Sequence, residues 1–191
     1  MRTMYDGINE LAAGIARDFP AAQMIAGYLD GKYAWTQEEW RLFPAAQHVT
    51  IVVSADANAG DVLDVEPGNA TASQVFGWVK MRRAAGLYRP TIYCSLSVVP
   101  AIRQATGAFI LGRDYDLWVA DWDGTTQPDY PLAVAKQYRN TAGYDVSAVF
   151  DDGWPHRAAP PSSPPPPAKP SILSLVATAH YSDGTAKTVQ L

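Results

Sequence analysis

Eight short apolar runs, separated by segments with helix or turn chemistry, limit what this chain can become more than any other feature of it. They are TMYDGI (3–8), MIAGYLD (24–30), HVTIVVSA (48–55), DVLDVE (61–66), PTIYCSL (90–96), DLWVADWD (116–123), LAVAKQY (132–138) and GYDVSAVF (143–150). Most are apolar nearly throughout rather than at every second position, so they read as strands buried on both faces, as in a parallel sheet covered by helices. The segments between them carry helix signals. Thr36 with Glu39, and Thr71 with Gln74, fit the capping-box pattern. Val75, Trp78, Val79 and Arg82 form a stripe at helical spacing that Gly86 closes as a C-cap, and VVPAIRQATG (98–107) reads as another helix.

Eight such strands alternating with helices predict an α/β fold, a (β/α)8 TIM-like barrel. Barrels of this kind usually need about 200 residues or more. Here only residues 1–157 precede a sharp change of composition, and the connections SADANAGD (54–61) and NTAG (140–143) are too short for full helices. The expectation is therefore a shortened barrel with missing or vestigial helices, with a doubly wound open sheet as the alternative. AAPPSSPPPPAKP (158–170) reads as an extended, Pro-rich linker of polyproline type. Residues 171–191 are then a short β tail in which Asp183-Gly184 marks a hairpin. Two strands make no independent sandwich, so this tail is expected to be disordered or to pair with an edge strand of another chain.

Charge and composition exclude several functions. The 15 basic and 19 acidic residues are interspersed, with no basic run to follow a phosphate backbone, so no nucleic-acid partner is expected. The single cysteine, Cys94, excludes an internal disulfide and reads as core packing. His48, His156 and His180 have no metal-ligand spacing, so neither a metal nor another cofactor is expected. No run approaches the ~20 apolar residues of a membrane helix. The N-terminal stretch MRTMYDGINELAAGIARDFP lacks the apolar centre of a Sec signal, so delivery outside a cell is expected to follow another route.

In a parallel barrel the C-terminal strand ends form the mouth where chemistry is done. Asp6 falls late in the first run, Asp30 at the end of the second, Asp64 and Glu66 at the end of the fourth, Asp121 and Asp123 at the end of the sixth, and Asp145 in the eighth. A lone strand-end Asp is as often a turn or cap residue. Asp64-Val65-Glu66 differs, because alternation points both acids the same way on a strand that is otherwise apolar. Two carboxylates that close resist joint ionisation, so one should hold its proton to higher pH, which suits general acid work. By the same parity Trp118, Ala120 and Trp122 share a face, and if that face is the inner one Trp122 is a flat platform at the mouth. Tyr5, Tyr28, Tyr93 and Tyr138 lie in or beside other strands as further aromatic candidates. Carboxylates and aromatics, without a metal set, a phosphate-binding glycine loop or a Ser/His/Asp arrangement, point to glycans.

The order YDGIN, LDVEPG, PTIYCS, LWVADWDG, AKQY and YDVS over roughly residues 3–150 resembles the family 25 glycoside hydrolases, barrel lysozymes that cleave peptidoglycan. The similarity is greatest to actinobacterial and actinophage glycoside-hydrolase-like proteins. The resemblance implies Glu66 as proton donor to the leaving glycosidic oxygen and Asp64 as the acid that tunes it. Asp6 and Asp145 match the family's other active-site acids, at the ends of the first and last strands. Tyr28, Tyr93, Trp122 and Gln137 match sugar-contacting positions, and Asp30 at the end of the second run is grouped with them. The bond implied is the β-1,4 link between N-acetylmuramic acid and N-acetylglucosamine. Two departures stand out: Asp145-Val146-Ser147 where the family usually has Asp-x-Asn, and Tyr28-Leu29-Asp30 where Tyr-His-aromatic is common. The tail resembles the opening strands of bacterial immunoglobulin-like modules. Together these imply a muramidase-like enzyme with cell-wall glycan as its partner, joined to a virion through its tail or released to the wall by lysis. A barrel that binds wall glycan or builds a virion without efficient turnover is the alternative.

Overall fold

Each apolar run becomes a strand because alternate side chains find apolar partners on both of its faces. In the computed structural model, which describes residues 1–159 and 176–190, the strands are β1 (Arg2–Asp6), β2 (Met24–Tyr28), β3 (Gln47–Val52), β4 (Val62–Val65), β5 (Thr91–Ser95), β6 (Asp116–Ala120), β7 (Ala133–Asn140) and β8 (Asp145–Val149). They pair in sequence order and β8 returns to β1, closing an eight-stranded barrel. The inner face is filled by Met4, Met24, Val49, Ile51, Val62, Trp118, Ala135 and Val149. No open doubly wound sheet forms.

Covering helices are few and short: α1 (Ala12–Asp18), α2 (Gln37–Arg41), α3 (Val75–Ala84) and α4 (Val99–Ala105) among the described residues. None follows β3, β6 or β7, so the barrel is shortened as its length requires. Val75, Trp78 and Val79 of α3, with Val99 and Ile102 of α4, cover the outward side chains Leu63, Val65, Ile92, Cys94, Leu117 and Val119. Cys94 is one of these packing groups. Capping boxes at Thr36–Glu39 and Thr71–Gln74 start two helical segments, and Gly86 (φ +96°) follows the end of α3. On the opposite flank Trp35 lies flat on the backbone of β2: a Cβ on Gly27 would stand 2.6 Å from its ring. Glycine is the residue that lets these groups meet.

Two expectations are corrected. The sheet is mixed rather than fully parallel, since β8 runs antiparallel to both β1 and β7. The reason lies in NTAG (140–143), because a parallel return needs a crossover of a dozen or more residues, whereas a tight turn serves an antiparallel pair. Tyr5 is corrected too: it faces outward, its ring stacked on Phe19 at 3.9 Å and edge-on to Tyr144 at 5.9 Å.

Because β8 runs backwards, the chain leaves it at the end where the other strands begin, and residues 150–157 plug that opening. Trp154 is fully buried there, and its indole N–H donates to the Thr91 hydroxyl at 2.8 Å. Arg2 donates to the carbonyls of Asp151 (3.0 Å) and Trp154 (2.9 Å). Arg157 forks onto the Asp61 carboxylate at 2.8 and 2.6 Å. The barrel unit thus runs through the end of this plug, to Ala159.

The separately packed tail forms the expected hairpin: β9 (Val176–His180) pairs antiparallel with β10 (Ala186–Gln190). The Tyr181 amide donates to the Thr185 carbonyl at 2.8 Å, and Gly184 has φ +82°. Most of the Pro-rich linker expected at 158–170 lies outside the described residues, as do 171–175. Among the described residues no helix is long and apolar enough to cross a membrane.

Trp154 is the test of the plug. Trp154→Ala is expected to destabilise the protein by about 3–5 kcal/mol in guanidinium unfolding. Leu132→Ala, at a side chain 57% exposed, should stay within about 0.5 kcal/mol. Equal effects would show that the plug packs no tighter than the surface.

Candidate active site

The end of the barrel opposite the plug gathers the C-terminal ends of β1 to β7 and the start of β8. Inward parity brings acids there from three strands. Asp6 ends β1 directly opposite Asp145 in the β1–β8 register. Asp64 lies beside Tyr93 in the β4–β5 register, and Glu66 follows two residues on. Asp145 therefore reaches the rim from the beginning of its strand. This replaces the expected strand-end placement, since a parallel β8 would have carried it to the far side. Gln137 pairs with both Ala120 and Ser147, next to a bulge in β7 before Arg139. Bulges of this kind re-aim side chains near sites.

Two hydrogen-bonded groups hold the acids. In the first, the Gln137 side-chain carbonyl accepts from the Tyr93 hydroxyl at 2.8 Å and from the Trp122 indole N–H at 2.7 Å. With its oxygen so engaged, the amide nitrogen turns to Asp6 and donates to Oδ2 at 2.9 Å. In the second, Asp64 Oδ2 accepts from the Tyr28 hydroxyl at 3.3 Å and the Asn69 amide at 2.9 Å. The other oxygens, Asp6 Oδ1, Asp64 Oδ1 and Asp145 Oδ1, are buried with no hydrogen-bond partner. None of the four acids forms an ion pair with a Lys, Arg or His among the described residues.

Buried carboxylates without cations hold their protons to higher pH. Burial raises Asp64 to about 7, helped by the Glu66 charge, while Tyr28 and Asn69 pull the other way. Burial raises Asp145 to about 6, against a hydrogen bond with the Thr141 backbone. Asp6 is pushed well above the ordinary carboxylate range by burial first and by facing Asp145 second. Glu66 is raised by its own half-burial, and the Tyr93 hydroxyl moderates the shift. Burial first, and then the neighbouring acids, likewise raise the Tyr28 and Tyr93 hydroxyls, which keeps both as donors.

Glu66 opens onto a cleft of about 450 Å³ lined also by Ser95, Leu96, Ser97, Ala120, Asp121 and Trp122. Trp122 is 57% exposed, with its indole nitrogen tied back to Gln137. It stands at the mouth, on the face that it shares by strand parity with the inward Trp118 and Ala120. Of the other candidates, Glu66, Asp64, Asp6, Asp145, Tyr28, Tyr93 and Gln137 all belong to this mouth. Asp30 does not join its hydrogen-bonded groups: its carboxylate accepts from the backbone amides of Val53 (2.7 Å) and Ser54 (3.3 Å) and pins the loop after β3. Asn69 was missed. Its signal is the Pro67-Gly68 turn, which folds the chain back so that the fifth residue after Asp64 meets it.

The oxygens of Asp121, Asp123 and Asp129 lie within 4.8 Å of one another. The buried ammonium of Lys136 lies among them, pairing with Asp129 and with Asp123 at 2.8 Å, so the cluster already has its cation.

No protein-family model and no curated protein matches the chain. Among solved structures, the Mycobacterium tuberculosis Tat-secreted protein Rv2525c is similar to it in two crystal forms. The L-tartrate complex shares 15% identity over 79% of this chain and 96% of that one, with a TM-score of 0.42. The HEPES complex shares 16% over 78% and 95%, with a TM-score of 0.40.

The rim makes stability depend on pH. Asp64 and Asp145 ionise near 3.8 when unconstrained and at about 7 and 6 in the fold. Between those values the folded chain binds more protons than the unfolded chain, so stability is greatest below the window and falls as pH rises through it. The melting temperature is expected to be higher at pH 5 than at pH 8 by several degrees. Asp64→Asn should raise stability at pH 8 by on the order of 1–3 kcal/mol and flatten the slope. A wild type whose stability rises from pH 5 to pH 8 would contradict the burial of these acids.

Proposed function

We propose that the barrel is a glycoside hydrolase acting on cell-wall glycan. The observation that carries this is Glu66: a carboxyl whose hold on its proton burial strengthens and which opens on a cleft beside an exposed indole, with three further acids converging next to it. Glu66 gives its proton to the glycosidic oxygen as the bond from the anomeric carbon breaks. The positive charge that develops on the sugar is met by Asp6, held by Gln137, by Asp64, held by Tyr28 and Asn69, and by Asp145; their raised carboxyls ionise as that charge approaches. Trp122 stacks on the C–H face of a sugar ring. Peptidoglycan as the source of that glycan, with the muramic acid link as the bond cut, is supported by the motif order from YDGIN to YDVS.

A second reading has one observation in its favour. Ser147, the residue that departs from the family's Asp-x-Asn, is fully buried, and its hydroxyl accepts from the Trp118 indole at 3.0 Å. It is therefore committed to the barrel interior, and a mouth lacking one polar contact favours a wall-binding module with slow turnover.

Removing a general acid typically costs a factor of about 10²–10⁴. Glu66→Gln is expected to slow release of reducing ends from actinobacterial cell walls by that range while melting within a few degrees of wild type. Equal release by both proteins would end the hydrolase reading. Equal sedimentation with walls by both, and no reducing ends from either, would establish the binding module instead.

A further inference from the structure

The acids at the mouth are more than a proton donor and its helper require. Asp6 and Asp64 are 6% and 0% exposed, yet each leaves Oδ1 without a hydrogen-bond partner, and Asp145 Oδ1 is also buried and unpartnered. Their second oxygens show that donors can be supplied here, since Gln137, Tyr28 and Asn69 serve Asp6 Oδ2 and Asp64 Oδ2. Buried carboxylate oxygens without donors are unfavourable unless a ligand supplies them. The adjoining cleft, onto which Glu66 opens, is lined by Ser95, Ser97, Asp121 and an apolar indole, with no basic side chain.

We infer that the mouth takes a glycan with a free, protonated amino group, a glucosamine-type N-deacetylated sugar, its ammonium donating to the unpartnered oxygens of Asp6 and Asp64 while a ring lies on Trp122. This deepens the glycan reading above and rests on it. An ammonium brings three donors and a full positive charge, and hydrogen bonds between ions of opposite sign are the strong ones. An N-acetyl group brings one neutral N–H and a bulk the buried oxygens cannot use. A sugar bearing a carboxylate would add negative charge to a rim without a cation. A divalent metal ion would need several oxygens converging on one point. Among the described residues that closeness is found only at Asp121, Asp123 and Asp129, where Lys136 already lies. Trp122 joins the two halves of the recognition, because Gln137 bonds both its indole and Asp6.

The test is isothermal calorimetry on the full chain with glucosamine pentamer and N-acetylglucosamine pentamer. It is run at about pH 7, where a free amine stays largely protonated and Asp64, raised to about 7, is half ionised, so that an arriving ammonium draws it into its charged form. The amino oligomer should bind about tenfold tighter or more at low salt, and its advantage should shrink in about 0.5 M salt through screening. The double variant Asp6→Asn, Asp64→Asn, checked for folding by circular dichroism, should lose the preference. Equal or tighter binding of the acetylated oligomer overturns the inference, as does a preference that survives in the double variant. Saturable displacement of the amino oligomer by calcium or magnesium overturns it in favour of a metal ion. If acetylated walls are still cleaved in any of these cases, only the amine preference falls and the hydrolase reading stands. If neither oligomer binds and no wall is cleaved, both fall together.

Discussion

Where β1 meets β8, two aspartates face each other across one rung of antiparallel sheet. Like charges placed so directly repel, and burial makes each harder to ionise. The fold holds them there because closing the barrel fixes the register of every strand, and no local shift separates Asp6 from Asp145 without reopening the seam. Asp64 and Glu66 arrive three strands further round from β1 under the same constraint. The mouth is therefore a ring of acids held together against its own repulsion by the hydrogen-bonded sheet beneath it.

The opposite end supplies what the mouth lacks. There the carboxylates have cations: Asp61 is forked by Arg157, and Asp116, fully buried, lies between Arg89 at 3.4 Å and His156 at 2.7 Å. Trp154 fills the opening and meets Trp118 inside the barrel at 6.1 Å. Trp118 in turn lies edge-on to Tyr93 at 4.7 Å, so a column of aromatic rings runs from the plug up to the group that orients Asp6. Stability is concentrated at one end and strained electrostatics at the other, a division seen where function needs groups that would otherwise relax.

Much of this was legible in the chain. The eight strands, the capping boxes at Thr36 and Thr71, the stripe on α3 and the inward face of Trp118 and Trp122 are local patterns, written in residues a few positions apart. The Asp64–Glu66 pair was legible for the same reason, as was the hairpin at Asp183-Gly184. The direction of β8 was half-written: the shortness of NTAG was visible, but its consequence follows only when the strand must pair with two neighbours at once. Asn69 was marked only by the Pro67-Gly68 turn, while the pairing of Lys136 with Asp123 and Asp129 and the diversion of Asp30 to the amides of Val53 and Ser54 had no local signature.

Sequence alone determined which segments become strands, which of their faces turn inward, and that carboxylates and aromatics fall near strand ends, because alternation and apolar runs act over a few residues. Tertiary structure decided which of those acids meet, which keep a free oxygen and which are neutralised. Partners 36 and 131 positions apart are chosen by barrel closure and register, and the burial that moves a proton from one pH to another exists only once the barrel has closed.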